Sequence, residues 1–306
     1  MSRRRHERRL IPAPPRRKKI LKSLILQIDV RSLLNDAKDA EASRQYLWDY
    51  EFALEFQRMQ NAEAIRSAIL GAAEGPFEFD RWQRVVKFKY TQNPLSPAGS
   101  LLVSGRFNYS DFNPDKFPPF PALYLAQGRA TAMSEALGQS ETAPGKLSAF
   151  ELAMTNTASI AVLEVRGKLE HVIDLRKPDR LQPLLDIIKG FTIPDHVVKQ
   201  AKSLNLQEPK VVQSVSDLKQ ALLAHDWRWM NMLGDVPATN QVFGQMVAQA
   251  GIDGIIYPSK IDGEPCLAAF PTNFQNSFIE IAGDAPPGLI AKRLDASTWP
   301  LIQKGR

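Results

Sequence analysis

The sequence predicts an α+β protein: a mixed β-sheet core with flanking helices, preceded by a helical arm and a basic tail. Three observations carry that expectation. After Pro76, seven short apolar runs of strand composition are separated by Gly, Pro and Asn. Helical patterns stand among them without the regular alternation of a doubly wound parallel sheet. Before Pro76, a long stretch free of proline repeats apolar residues at helical spacing. The 306 residues, 44% apolar and 24% charged, suffice to bury a sizeable core and place the chain in the soluble globular class.

The first element is the tail, residues 1–28. Residues 1–22 hold ten Lys and Arg against Glu7 alone, a net of +9 that leaves −3 for the rest of a chain whose total is +6. With Pro12, Pro14 and Pro15 and little apolar content, this segment is expected to stay disordered and solvated. Its charge suits an acidic partner (nucleic acid, acidic lipid or protein) through contacts that salt weakens. A solvated tail without a dedicated partner fits the same composition, and both readings stay open.

Residues 29–75 are the helical arm. From Asp29 to Ala73 good helix formers dominate, Leu54, Arg58 and Met59 alternate faces, and Gly71 and Gly75 supply stop signals. The arm packs on the body or serves as a partner-binding element. The body follows, with candidate strands at "RVVKFKY", "ALYLA", "SIAVLEV", "HVIDL", "GIIYP", "CLAAF" and "FIEIA". Candidate helices are "ATAMSEALG", "DRLQPLLDIIKG", "DHVVKQAKSL", "VSDLKQALLAH" and "TNQVFGQMVAQAG", the last stopping on Gly251.

Several functions lose ground on pattern alone. The sequence carries no internal repeat, no glycine-rich phosphate loop and no Gly-x-Ser-x-Gly elbow. The longest apolar runs, "LSAFELAM" and "CLAAFP", fall well short of the roughly 20 residues a membrane span needs. "LKSLIL" is too short for a signal-peptide core, so a cytoplasmic location is expected. Cys266 is the single cysteine and reads as a small packed hydrophobe. His6, His171, His196 and His225 lie at no metal-site spacing, so no metal is expected.

One stretch gathers chemistry. In "SGRFN", Gly105 can adopt backbone angles unavailable to other residues and so suits a tight turn that presents Arg106, whose planar fork can clamp a phosphate. "PALYLA" places Tyr124 in a short buried strand, and "ATAMSEALG" puts Glu135 on one helix face with Thr131. Far along the chain, "AGIDGIIYPSKIDGEPCLAAF" sets Ser259 at a strand-to-turn step. Taken singly, each has an ordinary reading: a surface arginine, a core tyrosine with a satisfied hydroxyl, an exposed helical glutamate.

Arg106 in "SGRFN", Glu135 in "ALYLAQGRATAMSE" and Ser259 in "DGIIYPS" together resemble the RES domain, a family named for its arginine, glutamate and serine. The resemblance spans roughly residues 84 to 282. It implies an ADP-ribosyltransferase-like fold over residues 76–306 that binds NAD as substrate and attacks its nicotinamide–ribose bond. Members are typically bacterial toxins that consume NAD by hydrolysis or phosphorolysis, or transfer ADP-ribose to a protein. They are held inactive by an Xre-type helix-turn-helix antitoxin. The sequence departs from the compact pattern: 124 residues separate Glu135 from Ser259, an enlarged middle insertion, and about 75 precede the body.

By that resemblance Glu135 stabilises the oxocarbenium-like ribose, Arg106 holds the diphosphate, Tyr124 packs against nicotinamide or the adjoining ribose, and Ser259 orients the nicotinamide end. Phe107 and Asn108 shape the turn, while Thr239 and Gln241 in "PATNQVFG" resemble a family segment near the pocket. Two rivals stand beside NAD cleavage: mono-ADP-ribosyl transfer to a protein, and a non-catalytic nucleic-acid-binding or interaction module. The acidic body argues against an extended nucleic-acid face.

Overall fold

A computed structural model describes residues 21–22, 27–28, 40–137, 160–224 and 227–304 of the chain. Residues 1–20 of the predicted tail, the start of the arm at 29–39 and the apolar run "LSAFELAM" at 147–154 lie outside the described residues.

The first described residues pair as a small antiparallel ladder, β1 (Leu21–Lys22) with β2 (Gln27–Ile28). Two helices follow, α1 (Ala40–Gln60) and α2 (Ala62–Ala72). The predicted stop at Gly71 is passed, and α2 runs on through it to Ala72. Then come β3 (Phe77–Lys87), a short helical turn α3 (Gly99–Leu102), β4 (Leu123–Ala126) and α4 (Arg129–Leu137). Beyond the middle segment stand β5 (Ile160–Leu169), β6 (Val172–Asp174), α5 (Gln182–Ile188), α6 (Asp195–Ser203) and α7 (Val215–Leu222). The chain ends with α8 (Trp227–Gly234), α9 (Thr239–Gln249), β7 (Gly254–Pro258), β8 (Pro265–Ala269), β9 (Phe278–Ile281), β10 (Arg293–Leu294) and α10 (Trp299–Lys304).

Eight of these strands form one sheet in the order β10-β9-β5-β3-β4-β8-β7-β6. Every pairing is antiparallel except β6 with β7, so the sheet is mixed and the class is α+β. The parallel pair is joined through α5 to α9, a connection long enough to cross over, as parallel neighbours require. β3 carries a register shift between Phe79 and Trp82, with Arg81 at φ 56°, the extra residue and left-handed backbone of a bulge.

Side chains alternate across the central strands. In β4, Leu123 and Leu125 join one apolar cluster with Ile256, Leu267 and Ala269, while Ala126 joins another with Ile255, Tyr257 and Ala268. That period of two is what a strand buried on both faces produces, and it explains why "LYLA" and "GIIY" read as near-continuous apolar runs. The second cluster is the larger, and Tyr46, Leu47, Tyr50 and Leu54 of α1 and Ile65 and Ile69 of α2 lie in it. The helices predicted as an arm therefore share a core with the sheet. Each large apolar side chain buried there contributes roughly 1.5–3 kcal/mol over an exposed one.

Candidate active site

A cleft of about 590 Å³ opens beside β4, walled by Arg106, Tyr124 and Tyr257 on one side and Glu135 on the other. Its size lies in the roughly 300–1,000 Å³ range of small-molecule sites. Each wall is set by local hydrogen bonding that the sequence demands.

On the first wall, the turn in "SGRFN" is closed by Gly105 N–H donating to the Asn108 carbonyl at 3.1 Å and to Asn108 Oδ1 at 3.2 Å. The Tyr124 hydroxyl accepts from the Phe107 N–H at 3.0 Å and donates to Asn108 Oδ1 at 2.9 Å. Asn108 Nδ2 donates to the Ser100 carbonyl at 2.7 Å. Tyr124 thus ties strand to turn with its hydroxyl while its ring lines the cleft. Burial holds the phenol well above its ordinary range, so it stays neutral.

Gly105 is required here for a reason other than the predicted one. Its φ is not positive; instead a Cβ would collide with the Tyr124 hydroxyl and with Asn108 Oδ1. Close approach, not backbone freedom, excludes a side chain.

From behind, α9 braces the same turn. Gln241 Nε2 donates to the Gly105 carbonyl at 2.9 Å, and Gln241 Oε1 accepts from the Ala238 N–H at 2.9 Å and from Asn231 Nδ2 at 3.0 Å. Gly244 lies so near Phe107 that a Cβ would strike its carbonyl oxygen. Arg106, 5% exposed, donates from its guanidinium to the Leu223 carbonyl at 3.1 Å and lies 5.3 Å from the Tyr257 ring centroid, a cation–π contact.

The second wall is α4 against the turn after β7. Ser259, 4% exposed, donates from Oγ to Glu135 Oε1 at 2.8 Å and accepts from the Ile261 N–H at 3.1 Å. One turn earlier on the same helix face, Thr131 Oγ1 donates to Asp262 Oδ2 at 2.5 Å. Thr131 and Glu135, four residues apart, therefore clamp one helix to one turn. The second oxygen of Glu135 keeps no protein partner among the described residues, although the carboxylate is half-buried at the cleft.

The structure brings Arg106, Tyr124 and Glu135 onto the cleft and sets Ser259 behind Glu135. It places Phe107, Asn108 and Gln241, all fully buried, behind the wall, where their polar groups hold the turn. Thr239, half-buried, begins α9 and does not line the cleft. Sequence reasoning missed Arg84, Tyr257, Lys260 and Trp227, which also line it. Tyr257 stood inside the quoted "DGIIYPS", and its alternation with Ile256 was the signal that it faces the Arg106 side. Among the described residues no group of His, Cys, Asp and Glu could hold a metal ion, and no helix is long and apolar enough to cross a membrane.

The family profile described as RES domain matches residues 81–286. The chain belongs to the RES domain family. The match starts within β3 and ends just past β9, so it contains both walls of the cleft and all three residues that give the family its name. No curated protein matches the chain. Among solved structures, it is similar to a chain of the crystal structure of the M. tuberculosis MbcT-MbcA toxin-antitoxin complex. That likeness has 14% identity and a TM-score of 0.34, and covers 79% of this RES-domain chain and 96% of the other. At that score the assignment rests on the family profile.

Proposed function

We propose that this RES-domain protein cleaves the nicotinamide–ribose bond of NAD, by hydrolysis or phosphorolysis, and acts as a growth-arresting toxin in the bacterial cytoplasm. The observation that carries this reading is the Glu135 carboxylate, fixed through one oxygen by Ser259 at 2.8 Å and open through the other, at a cleft that also presents Arg106.

Breaking the C1′–N bond sends its electron pair to nicotinamide, which leaves neutral, and the ribose takes on oxocarbenium character. Glu135 faces that developing charge with a carboxylate already oriented, so little reorganisation is needed in the transition state. Arg106 supplies the cation that binds the diphosphate. The Tyr124 ring packs against the nicotinamide end, and its neutral hydroxyl stays with the turn. Ser259 acts on Glu135 as a positioning residue, a narrower role than direct contact with nicotinamide. Phe107, Asn108 and Gln241 serve the site by holding Arg106 in place, and Thr239 by starting the helix that carries Gln241. Water or phosphate then forms the new bond to C1′. No metal is required, because the leaving group is activated in the substrate itself.

An Xre-type helix-turn-helix antitoxin is the partner this family membership supports, and the basic residues of the tail suit an acidic one. The unit that carries the chemistry is residues 76–306, with residues 29–75 as its helical support and residues 1–28 as a basic tail, of which residues 1–22 are expected to be dispensable for turnover. The deciding experiment incubates purified protein with NAD, with and without phosphate, and identifies products by mass. Free nicotinamide with ADP-ribose, or with its 1″-phosphate, is the expected result. Nicotinamide released only with a cell extract, with ADP-ribose retained on protein, would assign the transferase reaction instead. No nicotinamide above a blank in any of the three conditions would end the reading.

A further inference from the structure

Arg84 lies on β3, lines the same cleft, and has no role in the chemistry above. Its three guanidinium nitrogens donate to main-chain carbonyls: Nε to Pro94 at 2.7 Å, one terminal nitrogen to Tyr124 at 3.0 Å, the other to Ser96 at 3.0 Å. No carboxylate pairs with it among the described residues, and burial alone lowers its pKa to about 10, so it keeps its proton at neutral pH. A guanidinium offers five N–H groups, and three carbonyls use three of them. Two remain for another acceptor.

A packing role accounts for only part of this. β3 and β4 pair at a single register point, Gln83 with Ala126, and the Arg84 side chain bridges the gap that opens beside it. A neutral donor of similar length could do that without burying a charge. A half-buried arginine with carbonyl partners only leaves its charge uncompensated unless an anion completes it. Arg84 lines the cleft without a carboxylate beside it among the described residues. A phosphate group fits its two remaining N–H groups.

We infer that Arg84 is a second phosphate-binding residue of the cleft, its guanidinium pre-oriented by the Pro94, Ser96 and Tyr124 carbonyls so that its remaining N–H groups meet one phosphate of the dinucleotide. The inference rests on the reading of the cleft as an NAD site. It divides the anion between two cations: Arg84 at the β3–β4 gap, and Arg106 beside Tyr257. Carbonyl partners cannot neutralise the fork, so they fix its direction and leave its charge to the ligand.

The test measures inorganic pyrophosphate binding by calorimetry at fixed ionic strength on wild type, R84Q and R84K, with NAD kinetics on the same preparations. R84Q is expected to weaken pyrophosphate binding about 10- to 100-fold and to raise KM for NAD in parallel, with kcat changed by less than about threefold. R84K, which keeps the charge and loses the fork, should fall between. Unchanged pyrophosphate affinity in folded R84Q overturns the inference, as does a wild type that does not bind pyrophosphate. Failure of both variants to fold also overturns it, since the three carbonyl bonds would then be the whole role of Arg84. Arg84-dependent pyrophosphate binding by a protein that leaves NAD intact would uphold the anion site and overturn the NAD reading instead.

Discussion

Two clusters of buried charge lie in this fold and treat their ions in opposite ways. On α1, Arg58 (7% exposed) donates from Nε to Glu55 at 2.9 Å and through a terminal nitrogen to Glu55 at 2.8 Å and to Glu51 (6% exposed). Cation and carboxylates there consume one another. At the cleft, Glu135 is met by a hydroxyl and Arg84 by three carbonyls. Neutral partners fix direction without cancelling charge, so the field at the cleft stays available to a ligand. The α1 cluster is built to hold a helix, and the cleft to hold something that is charged in turn.

The largest effect expected from breaking this contrast is on stability. Arg58→Met removes the cation and leaves Glu51 buried beside Glu55 with no compensation, at a cost of about 3–5 kcal/mol. Burial already pushes the Glu51 carboxyl upward against the pull of Arg58. In the variant, native Glu51 binds its proton more tightly than unfolded Glu51 does, so the deficit is full at high pH and shrinks as pH falls toward the ordinary carboxylate range. Urea melts at about pH 8 and about pH 5 measure this. A further change of Glu51→Gln in the same chain should restore much of the loss, because fewer charges are then left unpaired. NAD turnover by the folded fraction should not change. A stability loss that is flat with pH would show that lost packing, not stranded charge, is the cause.

Next in size is Glu135→Gln, which should lower turnover by about 10²–10³ with melting unchanged, because glutamine still accepts from Ser259 Oγ while the negative charge is gone. Affinity for NAD should move little. Single-turnover assays on the folded variant decide it: wild-type rates would remove Glu135 from the chemistry, and early melting would place it with Arg58 as a structural ion.

How much of this was legible in the sequence follows from the same contrast. The seven predicted strands are all present because their apolar runs keep a period of two, with the central strands buried on both faces, a short-range pattern. β3 begins earlier than predicted, at Phe77: "FEFD" alternates apolar and charged residues as a half-buried strand does, but the bulge at Arg81 breaks the period before "RVVK"; it ends at Lys87 because "FKY" turns into a short 3₁₀ segment. α8 was missed: Trp227, Trp229 and Asn231 are modest helix formers that interrupt the better ones, and its fit against α1 is tertiary. At the site, Arg106, Tyr124, Glu135 and Ser259 stand in recognisable local motifs. Arg84 stands in none, because the carbonyls of Pro94, Ser96 and Tyr124 that aim it come from other segments. Gly105 was found for the wrong reason, since its need for space depends on a hydroxyl on another strand.

Gly244→Ala should come third. Its Cβ would strike the Phe107 carbonyl, a backbone atom held by the turn, so α9 must shift, at about 1–3 kcal/mol of overpacking. Because α9 also carries Gln241 and its bond to the Gly105 carbonyl, KM for NAD should rise severalfold together with the loss in melting temperature. A stability loss with unaltered KM would uncouple the helix from Arg106.

The smallest effect, and the finest division of the two clusters, belongs to Tyr124→Phe. Removing the hydroxyl leaves the Phe107 N–H without its acceptor, while Asn108 Oδ1 still receives the Gly105 N–H at 3.2 Å. Only one buried donor is orphaned, so the cost should be about 1–2 kcal/mol, near the low end for an unsatisfied buried group. The ring stays, so any stacking with the nicotinamide end survives, and what changes is the stiffness of the turn that aims Arg106. Arg58→Met should move stability alone and Glu135→Gln turnover alone; Tyr124→Phe should move both slightly, with KM for NAD up a few-fold and kcat nearly kept. A fall in kcat comparable to that of Glu135→Gln, at unchanged KM, would mean that the Tyr124 hydroxyl leaves the turn during the reaction and takes part in the transition state.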